Sequence, residues 1–336
     1  MSVPAELAGQ RLDQALAALL PQHSRSRLKQ WIEAGYVQVD GRVLPPKTRL
    51  VGGERLDIDA PPPDDLADAP QAIALTVVHA DDALLVIDKP AGLTVHPGAG
   101  NRDGTLLNAL LHYDAALAQL PRAGIVHRLD KDTSGLMVVA RNETAHTDLV
   151  RQLQARTVKR EYLALVFGNF ERDAVVEAPI GRHPAQRTQM AVVSRGKPAR
   201  TQVSVEKRFG FATLVRCALD TGRTHQIRVH LTALDHPLIG DPVYRSAAAL
   251  RRFSVAEVPE AAVAALRAFP RQALHATCLG LEHPVSRKPM QWESPLPEDF
   301  SALLRVFGKA VNLAPAGGGT EGAVIPAKAG IQKRKP

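Results

Sequence analysis

The chain has 336 residues, 45% of them hydrophobic, and a net charge of +8, which is enough for a catalytic core with a smaller module and too long for one small domain. Its two cysteines, Cys217 and Cys278, lie far apart in apolar strand-like segments, so a disulfide framework and a CxxC zinc site are excluded and a reducing compartment is expected. An aromatic content of 4% argues against a module that grips single strands mainly by stacking.

The first twenty residues, MSVPAELAGQRLDQALAALL, have no basic start before an apolar run. Nowhere do about eighteen uncharged apolar residues follow one another, so a soluble, cytoplasmic protein is expected. From His23 to Gly35 a serine cap candidate, apolar residues at 28, 31 and 32 and a glycine stop predict an amphipathic helix. Val37 to Val43 alternates around Asp40-Gly41 and predicts a hairpin, and Arg55 to Ile58 predicts a further strand. On the helix, Arg25 and Lys29 share a face with Arg27 beside them. Such a run is either a solvated surface or a grip on a phosphate backbone. The stretch APPPDDLADAP, residues 60–70, interrupts any regular element with prolines and aspartates and reads as a linker.

Beyond it, polar residues recur as islands in apolar frames. The first runs from Asp82 to Pro97 and contains Asp88-Lys89-Pro90 at the end of an apolar strand. The second is GIVHRLDKDTSGLMVVA, residues 124–140, where the segments 124–126 and 136–140 read as short buried strands and 127–135 as the loop between them. The third is Lys159 to Val166, with Tyr162 opening an apolar strand, and the fourth is Thr221 to Leu231, followed by HPLIGDPVY. Taken singly, each has a structural explanation: a packing tyrosine, surface arginines, histidines at 225 and 230 too far apart for a helical metal pair. An arginine inside such a frame, however, requires an anion, and Asp130 is the natural partner. From Lys309 onward the chain holds five cations against one acid, half of the net charge, and few packing residues, so residues 309–336 are expected to form a disordered basic tail.

HRLDKDTSGLMV, DKPAGLTVHP, KREYLALV and TGRTHQIRVHL, with RQALHA at 271–276, closely resemble the RluA-type pseudouridine synthases, over about residues 1–305. GQRLDQALAALL and SRSRLKQWIEAGYVQVDG, residues 9 to about 59, resemble the S4 RNA-binding domain. The resemblance implies an α+β fold, a mixed and largely antiparallel sheet with a central cleft, preceded by a small S4-like domain. The domains it implies are 1–59, a linker 60–72 and a catalytic domain 73–308. It assigns the nucleophile to Asp130, an ion pair with it to Arg228, and stacking on the target base to Tyr162. Arg25, Arg27, Lys29, Arg128, Arg223 and His225 are then candidate RNA contacts, with Arg128 filling the space of a flipped base or holding a phosphate. No cofactor and no metal are implied. The implied partner is large-subunit ribosomal RNA or its precursor particle, met by a monomer with no membrane contact.

Three other readings compete. Asp130-Lys131-Asp132-Thr133 resembles the aspartates of haloacid-dehalogenase phosphatases, but His127-Arg128 interrupts the apolar strand that should precede the first aspartate. A non-catalytic ribosome-assembly protein would not need the full set of catalytic residue types. The third keeps the chemistry and moves it to transfer RNA or another ribosomal site.

Overall fold

The protein is described from a computed structural model, which covers residues 1–20, 25–59, 69–98, 101–186, 188–244, 258–311 and 323–324. The chain divides into two compact units, Met1–Leu66 and Ala67–Pro336. Of the expected linker, residues 60–68 lie outside the described residues. Residues 69–71 already belong to the second unit: Asn108 donates to the Ala69 carbonyl, and Gln71 donates to the Asn108 carbonyl.

In the first unit, helices α1 (Leu12–Leu19) and α2 (Arg25–Glu33) pack with strands β1 (Val37–Val39) and β2 (Leu56–Ile58). Leu12, Leu16, Leu28, Ile32, Val37, Val39 and Leu56 form the core. Gly35, at φ 83°, ends α2, and the Tyr36 N–H reaches back to the Trp31 carbonyl. The expected hairpin over Val37 to Val43 is corrected. Asp40 and Gly41, both at positive φ, do make the tight turn, but only Val39 and Arg42 pair across it. The partner of β1 is β2, antiparallel, with Gln38 opposite Asp57.

The second unit is built on strands β3 (Thr76–Ala80), β4 (Leu84–Lys89), β5 (Ser134–Ala140), β6 (Lys159–Phe167), β7 (Ala174–Glu177), β10 (Arg200–Arg208), β11 (Ala212–Leu219), β12 (Leu274–Glu282) and β13 (Pro289–Glu293). They run in the order β7-β10-β11-β6-β12-β5-β4-β3, with β13 on β12. A separate ribbon pairs β8 (Ile180–Arg182) with β9 (Met190–Val192). The β5–β12 pairing is parallel and the other pairings just named are antiparallel, so the sheet is mixed and largely antiparallel, as expected.

Strands at the centre are apolar on both faces, and the period of two divides them. Leu85 and Ile87 of β4 and Met137 and Val139 of β5 join one cluster with helix α3 (Leu106–Tyr113) and with Ile227 and Leu231 of helix α5 (Gln226–Ala233). Leu84, Val86, Leu136 and Val138 face the other way, onto Ala145 and Leu149 of helix α4 (Glu143–Ala155). Helices α6 (Glu260–Ala268) and α7 (Glu298–Val311) close a further cluster around Phe300 and Phe307.

The short strand expected at 124–126 is corrected. Pro121–Gly124 is a one-turn helical segment with Arg122 and Ala123 at positive φ, and only Ile125 bridges to Val139. Within the expected tail, α7 continues to Val311 and Ala323–Val324 pairs in parallel with β7; the rest lies outside the described residues. Among the described residues, no helix is long and apolar enough to cross a membrane.

Candidate active site

The loop His127–Thr133 enters β5 at the lip of the first apolar cluster, and it is tied down at His127, Lys131, Asp132 and Thr133. His127 Nε2 accepts the Val138 N–H at 3.0 Å. Lys89, fully buried at the end of β4, donates to the carbonyls of Pro90, Leu93 and Lys131, and the Gly92 N–H donates to the Lys131 carbonyl as well. Burial pulls the Lys89 pKa down to about 7, against the fields of Asp132 and Asp130. Arg271 donates to the Asp132 carbonyl, Gln272 to Thr133 Oγ1, and Ser134 Oγ lies 3.0 Å from His275 Nδ1. The DKPAG and RQALHA segments thus act on one loop from two sides. Gly135, at φ 115°, lets β5 approach β12 so closely that a Cβ there would lie 2.3 Å from the Ala276 carbonyl oxygen.

These ties leave Asp130 with its side chain 15% exposed. Its Oδ2 accepts from Arg228 Nη1 at 3.0 Å. Its Oδ1 is 3.8 Å from His225 Nε2, too long for a hydrogen bond, so one carboxylate oxygen is held and the other faces the cleft.

Arg228, on α5 and 4% exposed, is itself oriented by Asp241, which accepts from Nε at 2.7 Å and from Nη2 at 2.9 Å. Its guanidinium carbon also lies 4.9 Å from the centre of the Tyr244 ring. Burial alone would lower the Arg228 pKa, but the bonds to Asp241 and Asp130 outweigh it and raise the pKa. Asp241 answers in kind: burial raises its pKa, and the Arg228 bonds with the N–H groups of Val243 and Tyr244 more than reverse this. The sequence reasoning missed Asp241, although HPLIGDPVY contains it.

Tyr162, in β6 and 6% exposed, lines the same cleft. Burial raises its pKa, with the Arg160 charge pulling the other way, so the phenol is protonated at neutral pH. His225 sits at positive φ ahead of α5, its Nδ1 2.7 Å from the Tyr244 hydroxyl, which in turn accepts the Met190 N–H. Burial lowers the His225 pKa against the field of Asp130.

Arg128 and Arg223 also line the cleft, whose volume is about 580 Å³. Six arginines line it against two aspartates, and burial, with the nearby charges of Arg122 and Arg128, lowers the His96 pKa to about 4. An anionic ligand suits such walls. The structure therefore brings Asp130, Tyr162, Arg228, Arg128, Arg223 and His225 to one cleft. Lys29 lies in the other unit, on the exposed side of α2, where Glu33 pairs with it at 3.3 Å, so the helix face is less purely basic than its sequence suggests. The side chains of Arg25 and Arg27 lie outside the described residues. Among the described residues, no cluster of three metal-binding side chains is present.

A model of the RNA pseudouridylate synthase family matches residues 83–233, and one of the S4 domain matches residues 10–56. The ribosomal large subunit pseudouridine synthase D of Nitrosomonas europaea is 56% identical over 91% of this chain and 87% of its own length. The chain belongs to the RNA pseudouridylate synthase family. The protein of the same description from Pseudomonas aeruginosa is 54% identical over 91% of the chain and 94% of its own length. Among solved structures, human RNA pseudouridylate synthase domain containing 4 aligns at a TM-score of 0.53 with 26% identity, covering 69% of this chain and 93% of its own. Human RNA pseudouridylate synthase domain containing 1 aligns at 0.52 with 25% identity, covering 74% and 98%. The chain is thus an α+β pseudouridine synthase, an isomerase, with an S4 domain at its N-terminal end.

Proposed function

We propose that this synthase converts specific uridines of 23S ribosomal RNA to pseudouridine in the cytoplasm, as a monomer and without a cofactor. The observation that supports the chemistry is the state of Asp130: one oxygen fixed by Arg228 and the other open to a basic cleft beside Tyr162. The support for the target is the description carried by relatives that match nine-tenths of the chain. The reaction breaks the N-glycosidic bond, turns the base and joins C5 to the sugar, with no net redox change.

In this reading the target uridine flips out of the RNA stack, at a cost of a few kcal/mol, and its base lies against Tyr162. The open oxygen of Asp130 attacks C1′ of the target sugar and displaces N1 of the base, as carboxylates do in other glycosyl transfers, and C5 of the turned base then displaces the carboxylate and regenerates it. Arg228, always protonated, holds the other oxygen of Asp130 and fixes the direction of the carboxylate. The Tyr162 hydroxyl relays the proton that leaves C5 after the new bond forms: it gives its own proton to the freed N1 of the turned base as it takes that of C5, so the proton count is unchanged. Arg128 fills the space left by the flipped base or holds a phosphate, and Arg223 and His225 contact the RNA nearby. In the S4 domain, Arg25, Arg27 and Lys29 hold the phosphate backbone of the same RNA. Residues 1–59, 60–72 and 73–308 correspondingly serve as RNA-binding domain, linker and catalytic domain.

The test is a pair of pseudouridine maps of ribosomal and transfer RNA, from cells with and without the gene. The proposal expects sites lost from 23S ribosomal RNA alone. An unchanged 23S map with a loss in transfer RNA would keep the chemistry and overturn the target.

A further inference from the structure

Among the described residues of the second unit, three arginines, Arg160, Arg228 and Arg271, are buried. Two of them meet carboxylates, Arg228 those of Asp130 and Asp241 and Arg271 that of Asp299. Arg160, 8% exposed, meets none. Among the described residues its guanidinium has no hydrogen bond, and its Nε is buried without a partner. An arginine does not shed its proton, and a buried cation without an anion costs several kcal/mol. Such a group is expected where a ligand completes it.

The surroundings of Arg160 are shaped to leave that place open. It stands two residues before Tyr162 in β6 and so on the same face of the strand, and both side chains line the active-site cleft. Gly222 lies against it: a Cβ there would be 2.8 Å from Arg160 Nη1. The Gly222 backbone is not in the left-handed region, so the glycine serves to make room for the guanidinium. Arg122 and Arg156 line the same cleft and also lack a carboxylate partner among the described residues. The guanidinium fork matches two oxygens of a phosphate.

We propose that Arg160 binds one phosphodiester of the RNA strand beside the uridine whose base lies against Tyr162. The inference rests on the reading of this cleft as the site of uridine isomerisation. An anion covalently tied to the target nucleotide supplies the missing partner of Arg160 only when that nucleotide is in the cleft. Its binding then offsets part of the cost of flipping and helps to fix the sugar in front of Asp130.

The test uses the full-length protein and an RNA that it binds, made with a neutral methylphosphonate at the linkage 5′ or 3′ to the target uridine. Binding and single-turnover isomerisation are both measured, for wild type, Arg160→Met and Arg160→Lys. One of the two neutral linkages should weaken wild-type binding and rate by about tenfold, and Arg160→Met should lose the same factor on the unmodified RNA. Arg160→Met should then be indifferent to that linkage, and its slope of log affinity against log salt should be shallower by about 0.7 to 0.9. Arg160→Lys should fall between, having the charge without the fork. If Arg160→Met is poorly folded, Gly222→Ala displaces the guanidinium without removing it and should blunt the same linkage effect. A variant that remains as sensitive as wild type to both neutral linkages would overturn the phosphate site. A wild-type protein that binds RNA with this linkage dependence and isomerises no uridine would instead overturn the reading of the reaction, and the two failures are distinct.

Discussion

Asp241→Asn separates the support of the site from its chemistry. The Asp241 carboxylate takes two charge-assisted bonds from Arg228, at 2.7 and 2.9 Å, and its Oδ1 also accepts the N–H groups of Val243 and Tyr244. Asparagine keeps Oδ1, with its bonds from Nη2 and the two backbone groups, loses the charge, and turns its NH2 toward the Nε–H of Arg228, donor against donor. Removing one partner's charge from a buried ion pair costs about 3 to 5 kcal/mol, and the loss of stability should be of that order. The guanidinium remains bonded to Asp130 through Nη1 but is no longer held from behind, and Asp130 moves with it. A misplacement of about 1 Å at a reacting group costs roughly a hundredfold in rate. The assays are denaturant unfolding and steady-state isomerisation over a range of RNA concentrations. Stability should drop by the amount above and kcat by about two orders of magnitude, with KM little changed, because Asp241 touches no RNA. Wild-type stability and kcat in Asp241→Asn would refute the claim that Asp241 sets the geometry of Arg228.

Two further outcomes are expected. Burial holds the His127 pKa down at about 3 from 6.5, with its Nε2 accepting the Val138 N–H. The unfolded chain therefore takes up a proton below pH 6.5 that the folded state refuses, and stability falls as the pH drops from there toward 3. Well inside that window the unfolded chain holds about one more proton than the folded one, so this group contributes up to about 1.4 kcal/mol per pH unit. His127→Asn, which keeps an acceptor for Val138, should flatten the slope by up to about 1.4 kcal/mol per pH unit, and unfolding curves between about pH 6 and pH 4 would read it; an unaltered slope contradicts the assignment. Removal of residues 1–66 should leave a folded second unit with residual isomerisation and a shallower salt dependence of RNA binding, read by circular dichroism and filter binding. Full activity on ribosomal RNA after that truncation would make the S4 domain idle.

The parts of the site visible in the sequence are those that elementary chemistry forces together. An arginine in an apolar frame needs an anion, and Arg228 with Asp130 supplies the pair, 98 residues apart in sequence. Leu136 to Ala140 reads as a buried strand because every one of its residues is apolar, and it is one. Asp241 escaped because nothing near it in sequence marks it: its partner lies one helix earlier, and only the fold turns the two together. Lys89 escaped for the same reason, since a lysine at a strand end looks like a surface group until the carbonyls around it are known. The turn at Asp40-Gly41 was legible and its strand pairing was not, because local turn chemistry says nothing about competition from a strand at 56–58. At 124–126 the apolar run suggested a strand, and the positive φ of Arg122 and Ala123 just before it turned the chain away from the sheet.

The measurement that bears most directly on the account is isomerisation by Asp130→Asn and Asp132→Asn side by side. The two aspartates share one loop, yet the fold treats them differently: the carboxylate of Asp130 meets Arg228 in the cleft, whereas Asp132 is held by its carbonyl, on Arg271. Asp130→Asn keeps the size of the side chain and removes the nucleophile. Its rate should fall by about 10⁴ or more, while RNA binding, which depends mainly on phosphate contacts, should be retained. Asp132→Asn should stay within a few-fold of wild type. An active Asp130→Asn protein, or equal losses in both variants, would contradict the assignment of the nucleophile to Asp130.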